Sequence, residues 1–215
     1  MTELRIHPKQ LYEGCILAAI AHAVTVGMYP ELRHEHSWDG INYCANDSQG
    51  CKAIITFHHK YIVAVFQDSE KVDLNVDPLT LFDGAPKDVI QIAQDEALQY
   101  VLENVDGIIK PVITAAFWGS WQTLSGVKPF CDILEDGGHI LQYQLLPYCE
   151  AMNHWRQYYD LNPMQEEFIR KLFRQRIHSN GELLVLTNDD MNFLFGNFEE
   201  CLIALEELNF APPIS

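Results

Sequence analysis

The chain has 215 residues, 48% hydrophobic and 20% charged, enough apolar content for a real core in one large domain or two small ones. Its formal net charge of -16 argues against nucleic acid as a direct partner, because phosphate contacts need Lys and Arg, and is compatible with a basic protein partner or with solubility alone. Six scattered cysteines without a Cys-x-x-Cys pair, and no secretory pattern after Met1-Thr2-Glu3-Leu4-Arg5, lead us to expect reduced thiols in a cytoplasmic protein.

In chain order, residues 8–28 read as a helix. From Cys15 to Val26 it is apolar on nearly every side, the mark of a helix buried around much of its circumference. His22 interrupts that run and is expected as a hydrogen-bonded core histidine. The run is too short to span a bilayer, so no membrane partner is expected. Tyr29-Pro30 ends the helix. Next come three stretches that read as an antiparallel meander near 41–66: Ile41 to Asn46, Cys51 to Phe57 and Tyr61 to Phe66. The last is apolar on both alternating faces, as a strand buried on both sides should be. Asn46 to Gly50 is rich in turn formers, and His58-His59-Lys60 is a short polar link. A four-residue first loop would set Cys44 opposite Cys51, as packed thiols or as a redox or metal pair, the latter at most half of a four-ligand zinc site.

Residues 72–86 look irregular. Pro86 then opens a helix expected to run to about Val105, with Val89, Ile92, Val101 and Leu102 at helical spacing and Asp106-Gly107 as its stop. Val112 to Trp118 reads as a strand and Phe130 to Glu135 as a helical turn. Ile140 to Leu146 reads as either a strand or an extended link. Cys149 to Tyr159 reads as a helix. Asn162-Pro163-Met164-Gln165 has an N-cap, a first-turn proline and a glutamine at N3. That helix is expected to bury Met164, Phe168, Leu172 and Phe173 and to stop at Asn180-Gly181. Glu182 to Leu186 reads as a strand, Thr187 to Phe195 as a short capped helix, and Asn197 to Leu208 as the last helix. The whole is expected as a single α+β domain with a central, mostly antiparallel sheet packed by helices. A helical subdomain from about residue 148 is an alternative.

Three groups are candidates for chemistry. Trp38, Asp39, Asn42, Tyr43 and Asp47 supply an indole and several polar tips, a set that suits a stacked small ligand or, equally, the covered end of a sheet. His34 and His36 with Asp39 have metal-ligand types at a spacing that a strand would present on one face. No second histidine pair follows, and there is no phosphate loop, dinucleotide fingerprint or Gly-x-Ser-x-Gly. Arg170, Lys171, Arg174 and Arg176 form a basic helix face that either binds an anion or complements the helix dipole. Residues 61–155 carry fourteen acidic side chains against four basic ones, either a solvated face or a docking surface.

The pattern Ser37-Trp38-Asp39-Gly40-x-Asn42-Tyr43, then Asp47-Ser48-x-Gly50, Ile55-Thr56-Phe57 and Val63-Ala64-Val65-Phe66, resembles one in a family of uncharacterised bacterial proteins of similar size. The resemblance implies a bacterial cytoplasmic protein and brings no activity or catalytic residue. The sequence therefore favours a non-enzymatic protein without a cofactor that binds a basic partner, for example an immunity-type inhibitor. The alternative is a small metal-dependent hydrolase or a small-molecule-binding module built on His34, His36 and Asp39.

Overall fold

The computed structural model of the chain describes residues 1–179 and 181–213. Its centre is an antiparallel sheet of seven strands. In chain order these are β1 (Thr2–Leu4), β2 (His36–Asp39), β3 (Asn42–Asn46), β4 (Cys51–Phe57), β5 (Tyr61–Asp68), then β8 (Ala115–Ser120) and β9 (Leu124–Gly126), after a separate hairpin of β6 (Leu102–Val105) and β7 (Ile108–Pro111). The order across the sheet is β1-β9-β8-β5-β4-β3-β2. Helices and 3-10 turns accompany it, so the chain is α+β as expected. The chain divides into two compact units, Met1–Leu11 with Ile41–Gln142 and Tyr12–Gly40 with Tyr143–Ser215.

In the first unit the expected meander is present as β3-β4-β5. The core of β5 is buried along nearly its whole length, in keeping with its two apolar faces. One sheet face carries Ile54, Val63, Val65, Ala116 and Trp118. These pack against Val89 and Ala93 of helix α2 (Lys87–Asp95) and against Leu81, Phe82, Ala97 and Leu98. The other face carries Tyr43, Ala45, Ala53, Ile55, Ala64 and Phe66, and the 3-10 turn Gly138–Leu141 approaches β3 and β4.

The register differs from the four-residue loop. Tyr43 pairs with Ile55 and Ala45 with Ala53, so Cys44 lies opposite Ile54 and not Cys51. The two registers differ by three residues, and an odd slip exchanges the faces of a strand; the observed one puts Tyr43 and Ala45 on the same side as Ala53 and Ile55. All six cysteines are free thiols.

The helix expected to reach Val105 ends at Asp95. A 3-10 turn (Ala97–Tyr100) and the β6–β7 hairpin follow. Asp106 and Gly107 have φ of 53° and 86°, the doubly positive pair of a two-residue hairpin turn. The Asp-Gly pair is therefore a hairpin tip and not a helix stop. The strand expected from Val112 starts at Ala115. Ile140 falls in the 3-10 turn.

In the second unit, most of α1 (Pro8–Thr25) is buried on every side from Cys15 onward. α3 (Phe130–Glu135), in the first unit, and α4 (Tyr148–Tyr158) match their expected spans. α5 (Pro163–His178) starts with a full capping box: Asn162 accepts from the Met164 and Gln165 amides, and Gln165 Oε1 accepts from the Asn162 amide. Phe168, Leu172 and Phe173 are buried, but Met164 is 64% exposed, because a first-turn residue beside the cap points off the packed face. The stop read at Asn180-Gly181 involves Asn180, which lies outside the described residues. β10 (Leu184–Val185) pairs in parallel with β11 (Phe210–Ala211). α6 (Asn188–Met191) and α7 (Phe198–Glu207) are capped by Thr187 and Asn197.

Candidate functional site

The residues nominated as a small-molecule pocket fall in different places. Asn42 is buried within a closed polar set. Its Nδ2 donates to Glu96 Oε2 at 2.8 Å and to Tyr100 Oη at 3.3 Å, and its Oδ1 accepts from Thr56 Oγ1 at 2.6 Å. Tyr43, the next residue on β3, projects from the opposite face and is fully buried. Asp47 follows the far end of the same strand, on the order of 15 Å along it from Asn42. These three therefore do not converge. Trp38 belongs to the second unit, where its indole donates to the Gly40 carbonyl at 3.0 Å and its amide to Glu207 Oε2 at 2.8 Å. Asp39 is exposed at the end of β2. The Asn42 network has the form of scaffold. Asn42→Ala should cost about 2 kcal/mol, because it strands the buried Thr56 hydroxyl and uncouples Glu96. Urea denaturation checks this, and an unchanged midpoint would remove the scaffold role.

The three residues nominated for metal also separate. His34 is exposed in a turn before β2, His36 is buried, and Asp39 is exposed. His36 joins an aromatic cluster within the second unit. Its ring meets His22 edge-on at 5.8 Å and Trp155 at 5.3 Å. His154 stacks on Tyr143 at 3.3 Å. Tyr158 and Tyr159 both donate to Glu35, the latter at 2.8 Å. As the sequence suggested, His22 is a bonded core histidine, with Nε2 3.0 Å from the Leu32 carbonyl. Burial pushes His22 down to about 4 and holds His36 well below the usual histidine range. Both imidazoles are therefore neutral near pH 7. Among the described residues, His34, His36 and Asp39 do not bring their ligand atoms together.

A different set does converge, at one end of the sheet in the first unit. Cys51 lies opposite Asp68 on β5, and beyond the last β3–β4 pair the Asp47 amide donates to the Cys51 carbonyl. Asp47, Cys51 and Asp68 thus form a row on one face of three adjacent strands. Gly137 turns the chain back over this row. Its φ is 104°, so a side chain there would be strained, and the backbone lies in van der Waals contact range of Phe66 and Asp68. The next turn presents His139. One ligand atom each from Asp47, Cys51 and His139 lie within 4.8 Å of one another. Asp47 Oδ1 is fixed by the Gln49 and Cys51 amides at 2.8 and 2.9 Å. Burial, then the Asp47 and Asp68 charges, push the Cys51 thiol up to about 11, so alone it is a poor nucleophile.

The same unit carries an apolar surface edged with acid. Leu74 and Val76 on the loop after β5, and Ile108 and Ile109 on β7, are 42% to 66% exposed. Two concavities of about 520 Å³ lie there. One is lined by Val72, Leu74, Glu103 and Val105, the other by Val76, Asp77, Pro78 and Lys110. Asp73, Asp77, Glu103 and Asp106 are exposed around them. Lys110 is tied down by donating to the Leu74 carbonyl at 2.6 Å. On the basic helix face of the second unit, Arg170 pairs with Glu166 at 2.6 Å, Lys171 with Asp190 at 2.5 Å, and Arg176 donates to Ser179 at 3.0 Å. Two of the four cations are thus paired with carboxylates inside the unit.

Comparison with protein-family models, curated proteins and solved structures finds no match to this chain. His139 was missed in the sequence because nothing in the spacing links it to Asp47 and Cys51. The exposed hairpin was missed although Asp106-Gly107 carried a usable signal.

Proposed function

We propose that the protein acts without catalysis, by binding a basic protein partner in a bacterial cytoplasm, with an immunity-type inhibitor of a basic toxin as one concrete form. The supporting observation is the surface of the 72–79 loop and the β6–β7 hairpin, where exposed Leu74, Val76, Ile108 and Ile109 are edged by Asp73, Asp77, Glu103 and Asp106. An apolar centre with a charged rim is the usual build of a protein-binding patch. The acid rim chooses a cationic partner and speeds its encounter. Lys52 and Lys110 line the two concavities, and two cations offset the four carboxylates only in part.

A photo-crosslinking residue at position 108, in cells that carry the gene, tests the reading. The expected product is one dominant adduct with a basic protein. Asp73→Lys, Asp77→Lys and Glu103→Lys together should weaken binding of that protein at least about tenfold. Asp77 caps the Pro78–Phe82 turn, Asp73 accepts from Asn75 and Glu103 from Gln67, so the triple variant should lose about 1–2 kcal/mol, and its binding is compared where circular dichroism shows it folded. An acidic partner, no adduct, or full affinity in the triple variant would each overturn the proposal.

A further inference from the structure

The geometry points to a zinc-class metal site formed by Asp47, Cys51 and His139 at the end of the sheet, independent of the partner surface. The three residues come from the β3–β4 turn, the start of β4 and the 3-10 turn after α3, and one ligand atom of each lies within 4.8 Å of the others. A sulfur, an imidazole nitrogen and a carboxylate oxygen are the donor types that zinc accepts together. Three protein ligands leave one tetrahedral position for water or an incoming group.

The surrounding bonds orient these donors as metal sites require. His139 Nδ1 is 3.3 Å from the Leu134 carbonyl. That contact selects the tautomer protonated at Nδ1 and leaves the Nε2 lone pair for a ligand, the usual outer-shell arrangement of a metal-bound histidine. Asp47 Oδ1 takes two backbone amides, which holds its carboxylate in place before any ion arrives. Asp68, opposite Cys51, is buried and takes the Glu70 amide at 3.0 Å. It adds negative charge beside the row, which favours a cation. Gly137 supplies the φ of 104° that this turn requires just before His139. The Asp47 bonds to the Gln49 and Cys51 amides close the turn, and the His139 imidazole joins that carboxylate and thiol from a separate element.

The test uses the full chain, stripped of metal and carrying Cys131→Ser and Cys149→Ser to remove the two exposed thiols. Zinc should bind in a single equivalent and raise the melting temperature. Cobalt(II) should give a thiolate-to-metal charge-transfer band that Cys51→Ser abolishes. His139→Gln, an exposed position, should leave the metal-free melting temperature unchanged and weaken zinc at least about tenfold. Should Cys51→Ser fail to fold, the His139→Gln comparison decides by itself. Absence of zinc binding at about micromolar concentration, zinc affinity unchanged in His139→Gln, or a band that survives Cys51→Ser would each overturn the site.

Discussion

Lowering the pH from 7 to 4.5 should reduce the stability of the native protein relative to His22→Leu by roughly 2 kcal/mol. His22 sits on the buried helix α1, with Nε2 at the Leu32 carbonyl and its ring against His36. Burial pushes it down to about 4, the Leu32 bond opposes that shift, and His34 adds to it. In the unfolded chain the same group titrates near about 6.5. Between those two values the unfolded state binds the extra proton, so stability is full above the unfolded value and drains away as pH falls toward the folded one. Using the difference between the two proteins cancels the many surface carboxylates, which also titrate in acid. Urea denaturation of both proteins at the two pH values gives the number. A gap that stays constant would mean that His22 keeps its ordinary basicity and that the cluster around it is wet.

Gly14→Ala should destabilise the fold by about 3 kcal/mol, opposite in sign to what helix propensity alone anticipates. In a helix interior alanine is favoured over glycine by about 1 kcal/mol. At position 14 of α1, however, an added Cβ would lie 1.9 Å from the Gln144 carbonyl oxygen, 2.7 Å from its carbon and 2.9 Å from its Cα. All three are backbone atoms, so no side-chain rotation relieves the clash. Either α1 or the segment before α4 must shift, and the residues around Gly14, Cys15 to Ala19, are buried to within 4%. Thermal denaturation with circular dichroism measures the loss. A gain in melting temperature would show that the helix and the Gln144 segment have room to separate, and that close approach is not what selects glycine here.

The two positions show how far single residues could be read from the chain. His22 was legible because its setting is local: one polar residue in a long apolar helix needs a partner, and the backbone supplies one. Gly14 was not legible, because the reason for it is Gln144, more than a hundred positions away. The Asn42 group is intermediate. Asn42 and Thr56 face each other across one hairpin and share its register, but Glu96 and Tyr100 come from beyond it.

By itself the sequence determined the α+β class, the β3-β4-β5 meander, the buried α1 and the capping box of α5. Each of these depends on side chains a few residues apart, where periodicity, turn chemistry and capping act directly. Register, the β6–β7 hairpin and the convergence of Asp47, Cys51 and His139 were decided only by the tertiary structure. Which strand faces match depends on burying both apolar sets at once. Likewise His139 reaches the Cys51 row only because the Gly137 turn folds back onto β5, a long-range closure that no local spacing encodes.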